Sequence, residues 1–249
     1  MGGAIASGLL AGGIHVVAAN PSPTPLEKLK AQGAIVTHNN SQACHDADIV
    51  IVAVKPWIVE QVLKEIASTL DYNRQIIVVV AAGVTGAQLT EWLHKDNDTA
   101  PQMIIAMPNT AVSVFRSMTF LIPVNSNEES IAAVSSVFDR LGKTMIIDEA
   151  HLPAATALAS CGIAYIMRYV RAAMEGGIEL GFKAGAAQEM ICQTILGAAE
   201  LLSQSGAHPE TEIDKVTTPG GLTIRGLNAM EKAGFTSAVI EGLKASVNK

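Results

Sequence analysis

Residues 48–56 read Asp-Ile-Val-Ile-Val-Ala-Val-Lys-Pro, and the first seven of them form the plainest buried strand in the chain. The run is almost wholly β-branched, apolar at odd and even positions alike, and too short for a core helix, which predicts a strand covered on both faces. Lys55 and Pro56 end it, and Pro56 is suited to the first turn of a helix over 56–70. Upstream, the pattern predicts a small-residue helix (1–13), a strand (14–19), a helix (26–32), a strand (34–37) and a short helical turn capped by Ser41. Downstream come a strand (75–80), a helix from Thr85 to His94 and a strand (103–107), then strands at 118–124 and 143–147 with a helix over 128–141 between them. Such alternation predicts a parallel sheet with helices on both faces. Strand signals vanish after Glu149, and residues 150–180, 184–205, 223–232 and 236–246 read as helices. The expectation is an α/β domain over 1–148 followed by an all-α domain over 149–249.

With 249 residues, 49% of them hydrophobic and 16% charged, the chain has enough apolar material for two cores. A net charge of −6 without any Lys/Arg cluster argues against nucleic acid or an anionic membrane as partner. Cys44, Cys161 and Cys192 are odd in number and widely spaced, so neither a disulfide framework nor a metal site is expected. A reducing cytoplasm suits them. The N-terminal 19 residues lack the basic region of a signal peptide, and no unbroken apolar run reaches the ~20 residues of a membrane span, so no spanning helix is expected. Residues 163–170 and 190–202 are apolar on more than one helical face. Helices of that kind need cover on all sides, which predicts a homodimer sharing this core.

The stretch 216–231, Val-Thr-Thr-Pro-Gly-Gly-Leu-Thr-Ile-Arg-Gly-Leu-Asn-Ala-Met-Glu, joins a glycine bend to a helix start. Pro219 fixes one φ, Gly220 and Gly221 permit positive φ and close approach, and the first helical amides lack intrahelical partners. A carboxylate or phosphate fits such a bend, with the hydroxyls of Thr218 and Thr223 beside it. Taken without ligand, the same residues make a tight interhelical turn with Thr223 as N-cap.

The composite T-T-P-G-G-x-T-x-x-G-L-x-x-M-E resembles the signature of pyrroline-5-carboxylate reductases, with Thr218 in place of the usual Ser. The resemblance extends over nearly the whole chain. Ala53, Val54, Lys55 and Pro56 match the family's A-V-K-P; Ala81, Ala82 and Gly83 match A-A-G; Met107, Pro108 and Asn109 match M-P-N, followed by Thr110 and by Ala111 where the family has Pro. Residues 159–165, Ala-Ser-Cys-Gly-Ile-Ala-Tyr, stand where the family commonly reads S-G-S-G-P-A-Y. Met1, Ala4, Ile5, Gly8 and Leu9 match the end of the family's glycine turn and the helix after it.

The resemblance implies a Rossmann-like N-terminal domain with an incomplete first strand, then an all-α C-terminal dimerisation domain. The sheet is expected to break between the strands at 14–19 and 48–54, and the nucleotide to bind weakly unless another segment fills that break. The implied reaction is hydride transfer from NADPH to the imine carbon of 1-pyrroline-5-carboxylate, yielding L-proline, the last step of proline biosynthesis. Implied nucleotide-binding residues are Met1, Ser22, Asn40, Ala53, Val54, Lys55, Pro56, Ala81, Ala82, Gly83 and Asn109. Thr218, Gly220, Gly221, Leu222 and Thr223 would hold substrate, and Thr223 would lie at the ring nitrogen as the catalytic residue. No carboxylate occurs in residues 18–22, so NADP is favoured and NAD is possible. The alternatives are a related NADP-dependent imine or hydroxyacid reductase, or a non-catalytic helical dimer with a decayed nucleotide site. His208 has either a site role or a capping role, and Glu175 with Glu179 reads as surface charge.

Overall fold

A computed structural model describes residues 1–95 and 100–247. The chain divides into two units, Met1–Ser160 and Cys161–Lys249. The first runs α1 (Gly2–Ala11), β1 (Val17–Ala19), α2 (Pro23–Ala31), β2 (Ile35–Thr37), α3 (Asn40–Cys44), β3 (Ile49–Val52) and α4 (Pro56–Ile66). It continues with β4 (Ile76–Val79), α5 (Gly86–Trp92), β5 (Gln102–Met107), β6 (Ser117–Asn125), α6 (Glu128–Phe138) and β7 (Gly142–Ile146).

β3, β4 and β5 are parallel neighbours, and every residue of β4 is buried, as a strand with helices on both faces requires. Alternate side chains feed two cores. Val50, Val52, Ile77, Val79 and Ile105 pack with Val59, Leu63 and Ile66 of α4 and Leu89 of α5. Ile76, Val78, Ile104 and Ala106 pack with Ile5 and Leu9 of α1 and with Val134 and Phe138 of α6.

Three details differ from the sequence reading. The sheet is mixed, because β6 runs antiparallel to β5. The connection from Met107 to Ser117 is too short for a parallel crossover. It closes with a 3₁₀ turn, Thr110–Val114, and Phe115 at φ 57°, the only non-glycine residue with positive φ among the described residues. The cap of α3 is Asn39, whose side chain accepts from the amide of Gln42 at 2.9 Å, and Ser41 lies inside the helix. The extra helix α10 is described below. The expected break in the sheet is present: β1 and β2 form a two-stranded parallel sheet of their own, and β3 to β7 form a separate five-stranded one.

The expected long helix begins as a 3₁₀ turn, Glu149–His151, followed by α7 (Leu152–Ala155), a π turn over Thr156–Cys161, and α8 (Gly162–Glu179). The division between units falls at the end of that π turn, eleven residues or so beyond the start of the helical run. Leu152, Ala155 and Ala159 pack onto the sheet core, which explains why this segment belongs to the first unit. By length and composition alone the run Glu149–Glu179 is apolar enough to cross a membrane, contrary to the expectation that no stretch would be. Arg168, Arg171, Glu175 and Glu179 lie along it, and Arg171 pairs with Glu175 at 2.9 Å.

The second unit holds α8, α9 (Ala184–Ser205), α10 (Pro209–Lys215), α11 (Leu222–Lys232) and α12 (Phe235–Ala245). Gly181, at φ +97°, ends α8: the Phe182 amide donates to Gly177 O and the Gly181 amide to Ile178 O, the bonding of a Schellman cap. α8 and α9 pack closely, since a Cβ on Gly177 would sit 3.0 Å from Ala187 Cβ. The Tyr165 hydroxyl bonds Gly242 O and Ser246 Oγ, tying α8 to α12. α10 was not foreseen, although His208 before Pro209, with Glu210 and Glu212 behind, is a readable helix start. Among the described residues of this unit, only Gly162 and Ala187 are buried.

One glycine sets the β6/β7 pairing. Gly142 lies at φ +150°, and a Cβ there would fall 2.0 Å from Ser117 O and 2.4 Å from Ser117 N. Gly142→Ala is expected to cost about 2–4 kcal/mol of stability, read as a lower urea midpoint at unchanged slope.

Candidate active site

Parallel registry brings three loops to one edge. Val52 is level with Val79, and Val79 with Ile105, so the residues after β3, β4 and β5 emerge side by side at the carboxyl ends of their strands. In open α/β sheets ligands bind at that edge. Ala53 and Val54 are half-buried, Lys55 is the N-cap of α4 and Pro56 its first residue. Ala81 is buried, Ala82 is exposed, and Gly83 has φ +80° with open space where a Cβ would stand. Only glycine suits that conformation, and it leaves the backbone accessible.

α1 reaches the same edge, since a Cβ on Gly2 would come within 3.1 Å of Ala53 Cβ. Met1 is its N-cap without a side-chain cap bond. The amides of Gly2 and Gly3 therefore open the helix without intrahelical acceptors, an arrangement that suits a phosphate. At the ends of β1 and β2, the Ser22 amide donates to Asn20 Oδ1 at 2.8 Å, and His38 Nδ1 lies 2.8 Å from Asn20 O, so that nitrogen carries its proton. Ser22 is exposed, caps α2 and makes no side-chain cap bond. This loop presents hydroxyl and amide groups and no carboxylate, so the donor set fits a ribose 2′-phosphate.

Two of the expected nucleotide residues have side chains bonded to other residues of the chain, Asn40 at the surface and Asn109 in the interior. Asn40 Nδ2 donates to both oxygens of Glu65, at 3.2 and 3.1 Å. Asn109 is buried; its Oδ1 accepts from the Ala111 amide at 3.0 Å and its Nδ2 donates to Ala159 O at 3.2 Å. Glu149 was missed by the sequence reading. Its carboxylate accepts from the Gly86 amide at 3.1 and 3.3 Å, which anchors the start of α5 just beyond the Gly83 turn. Nothing local marks it, because the partner lies far away in sequence. Burial, and then the charge of Glu65, raise the Cys44 thiol to about 11, so this cysteine stays protonated and inert.

The bend of the second unit is a tight turn at the head of a helix, with a cap other than the expected one. The Gly221 amide donates to Thr218 O at 2.9 Å across Pro219 and Gly220, and Gly220 has φ +69°. Proline followed by a positive-φ glycine within such a bond makes a type II turn. Gly221, not Thr223, is the N-cap of α11 and makes no side-chain cap bond, so the first amides of α11 have no side-chain acceptor. Neither Thr218 Oγ1 nor Thr223 Oγ1 bonds another described residue, and Thr218, Gly220, Leu222 and Thr223 are exposed. His208 takes the capping role: its Nδ1 accepts from the Glu210 amide at 3.3 Å at the head of α10. Among the described residues no group of three His, Cys, Asp or Glu side chains is placed to hold a metal.

A sheet with three loops converging at its carboxyl edge, followed by a helical unit with a proline-glycine bend, is the build of an NAD(P)H-dependent oxidoreductase of Rossmann type. Comparison with known proteins narrows the class. Residues 1–83 match the family described as NADP oxidoreductase coenzyme F420-dependent, and residues 149–249 match pyrroline-5-carboxylate reductase dimerisation. The chain is 38% identical to pyrroline-5-carboxylate reductase 1 of Dictyostelium discoideum over its whole length, though it spans only 47% of that protein. It is 34% identical to pyrroline-5-carboxylate reductase 2 of the same organism, covering all of this chain and 88% of that one. Among solved structures, a pyrroline-5-carboxylate reductase from Coxiella burnetii superposes with a TM-score of 0.91 at 29% identity, over 98% of this chain and 92% of that one. The chain belongs to the pyrroline-5-carboxylate reductase family.

The bend supplies a direct check on the anion reading. A Cβ on Gly221 would come 2.5 Å from Thr218 Oγ1 and 3.0 Å from Thr218 O. Gly221→Ala is therefore expected to weaken binding of L-proline, used as a carboxylate probe, by about tenfold, a loss of one charge-assisted hydrogen bond. Calorimetry should show NADP affinity within twofold of the unaltered chain.

Proposed function

We propose that this protein reduces 1-pyrroline-5-carboxylate to L-proline with NADPH, the last step of proline biosynthesis. The observation that carries the reading is the type II turn at residues 218–221 opening onto uncapped helix amides, in a chain whose other half is a nucleotide-binding sheet. A turn of that build grips a small carboxylate and offers no strong acid or base, which is what reduction of an already protonated imine requires.

The nucleotide supplies the hydride when bound. The chain's own residues do the rest. The loops at 53–56, 81–83 and 107–109 line the edge against which the nicotinamide half is held, and the first turn of α1 takes phosphate. Asn20 and Ser22 leave room for a 2′-phosphate, which favours NADP over NAD. The amides at 221–224 and the Thr218 hydroxyl hold the substrate carboxylate and exclude water from its oxygens. Thr223 Oγ1 accepts the N–H of the protonated ring nitrogen and orients the C=N carbon, so the hydride adds to that carbon while the nitrogen keeps its proton. Orientation of this kind accounts for much of the rate in reactions without a covalent intermediate.

The helical unit also supports a homodimer. Leu180 and Leu222 are 82% and 85% exposed, and Ile166, Met167, Leu196 and Leu201 lie open as well. Faces of that composition on helices with almost nothing buried need a second copy to cover them. A reducing, cytoplasmic setting suits three free cysteines, one of which, Cys192, is exposed. The hydroxyacid alternative is disfavoured because α8, the first long helix of this unit, carries no lysine.

Oxidation of NADPH on addition of 1-pyrroline-5-carboxylate, followed by loss of reduced-nicotinamide absorbance, tests the reading, and a silent chain would end it. Thr223→Ala is expected to lower kcat about 10²-fold while the Kd for NADPH stays within twofold. Unchanged turnover in that variant would remove Thr223 from the mechanism.

A further inference from the structure

The sheet and the start of the helical run that follows it are joined by a buried polar chain centred on Asn109, whose side chain is turned away from solvent. Thr119 Oγ1 lies 3.1 Å from Ser117 Oγ, Ser117 Oγ accepts from the Asn109 amide at 3.2 Å, and Asn109 Nδ2 donates to Ala159 O at 3.2 Å. Thr119, Ser117 and Asn109 are 0%, 2% and 6% exposed. Buried networks of this kind cost stability unless every member is satisfied, and when satisfied they hold one geometry. Here the last acceptor is a carbonyl inside the π turn Thr156–Cys161. A π turn inserts one extra residue into a helix and shifts the register of everything after it, and such turns are common at functional sites.

Asn109 also stands at a special point of the sheet. It follows β5 directly after Pro108, at the carboxyl edge, and its own Oδ1 shapes the next turn by accepting from the Ala111 amide. One side chain therefore sets both the M-P-N-T loop and the π turn. Ala155 and Ala159 press the same turn onto the core beneath, but apolar contacts alone permit sliding. The directed bond to Ala159 O fixes the turn's phase.

We propose that Asn109 is a positioning residue for hydride transfer: it acts by pinning the π turn to the carboxyl edge of β5, and not by ligating the nucleotide through its side chain. The proposal rests on the reductase reading above. What Asn109 controls is the placement of residues 156–160, the end of the first unit, which includes the start of the stretch where this chain departs from the family's usual pattern.

The informative variant is Asn109→Asp, which keeps the acceptor for the Ala111 amide and replaces the donor to Ala159 O with a second acceptor. Three measurements are compared with the unaltered chain: the Kd for NADPH, kcat and KM at saturating NADPH, and amide hydrogen exchange across residues 156–163. The expected result is an unchanged Kd within twofold, a kcat lower by about 10–100-fold, and faster exchange in the π turn while β4 and β5 keep their protection. Asn109→Ala is expected to repeat this pattern and to loosen residues 110–114 too. A tenfold weaker NADPH affinity with kcat intact would overturn the proposal in favour of direct ligation. Unaltered kcat with merely lower stability would overturn it in favour of a purely structural bond, and unaltered exchange in the turn would overturn the pin itself. If the unaltered chain fails to turn over the imine, the reductase reading falls, and the exchange result still decides whether Asn109 holds the turn.

Discussion

The registry of three parallel strands is the constraint on which the rest depends. With Val52, Val79 and Ile105 level across the sheet, three loops far apart in sequence are delivered to one edge without any bond between them. Registry is in turn enforced by burial. β4 has no exposed face, so a slip by one residue would exchange the side chains fed to the two cores, sending Ile77 and Val79 where Ile76 and Val78 belong. The geometry of the crevice is thus set by methyl groups well below it.

Much of this was legible because it is local. The β-branched run at 49–52, the Pro at 56, the Thr85 cap with its capping box and the Pro-Gly-Gly bend each dictate conformation through a few neighbouring residues. What escaped notice depends on distant partners or on length. The reversal of β6 follows from the shortness of one connection. The π turn over 156–161 has no mark in its own residues. Asn109 is an expected nucleotide residue, and its bonds to the Ala111 amide and to Ala159 O could not be foreseen, since a side chain's direction is not written in its own sequence. Glu149 looked like a boundary residue, and its bond to the Gly86 amide is invisible until the chain is folded.

The two halves are stabilised by opposite means. In the sheet unit, Gln75 enters the core with its amide satisfied, 1% exposed and donating to the carbonyls of Cys44 and Ala47 at 2.6 and 2.7 Å, whereas the buried Tyr72 hydroxyl has no partner among the described residues. In the helical unit, order within the chain comes from glycine caps, short surface ion pairs and the Tyr165 contacts, none of which is worth much alone. The first half carries its own core. The second relies on cover that one chain does not contain.

That scarcity of interior side chains beyond Ser160 has a genetic reading. If a helical half reaches its final form only against a sister copy, then a fault on its open face is shared by whichever sound molecule it meets. In a cell making equal amounts of normal and damaged chains, three pairings in four would contain at least one damaged member.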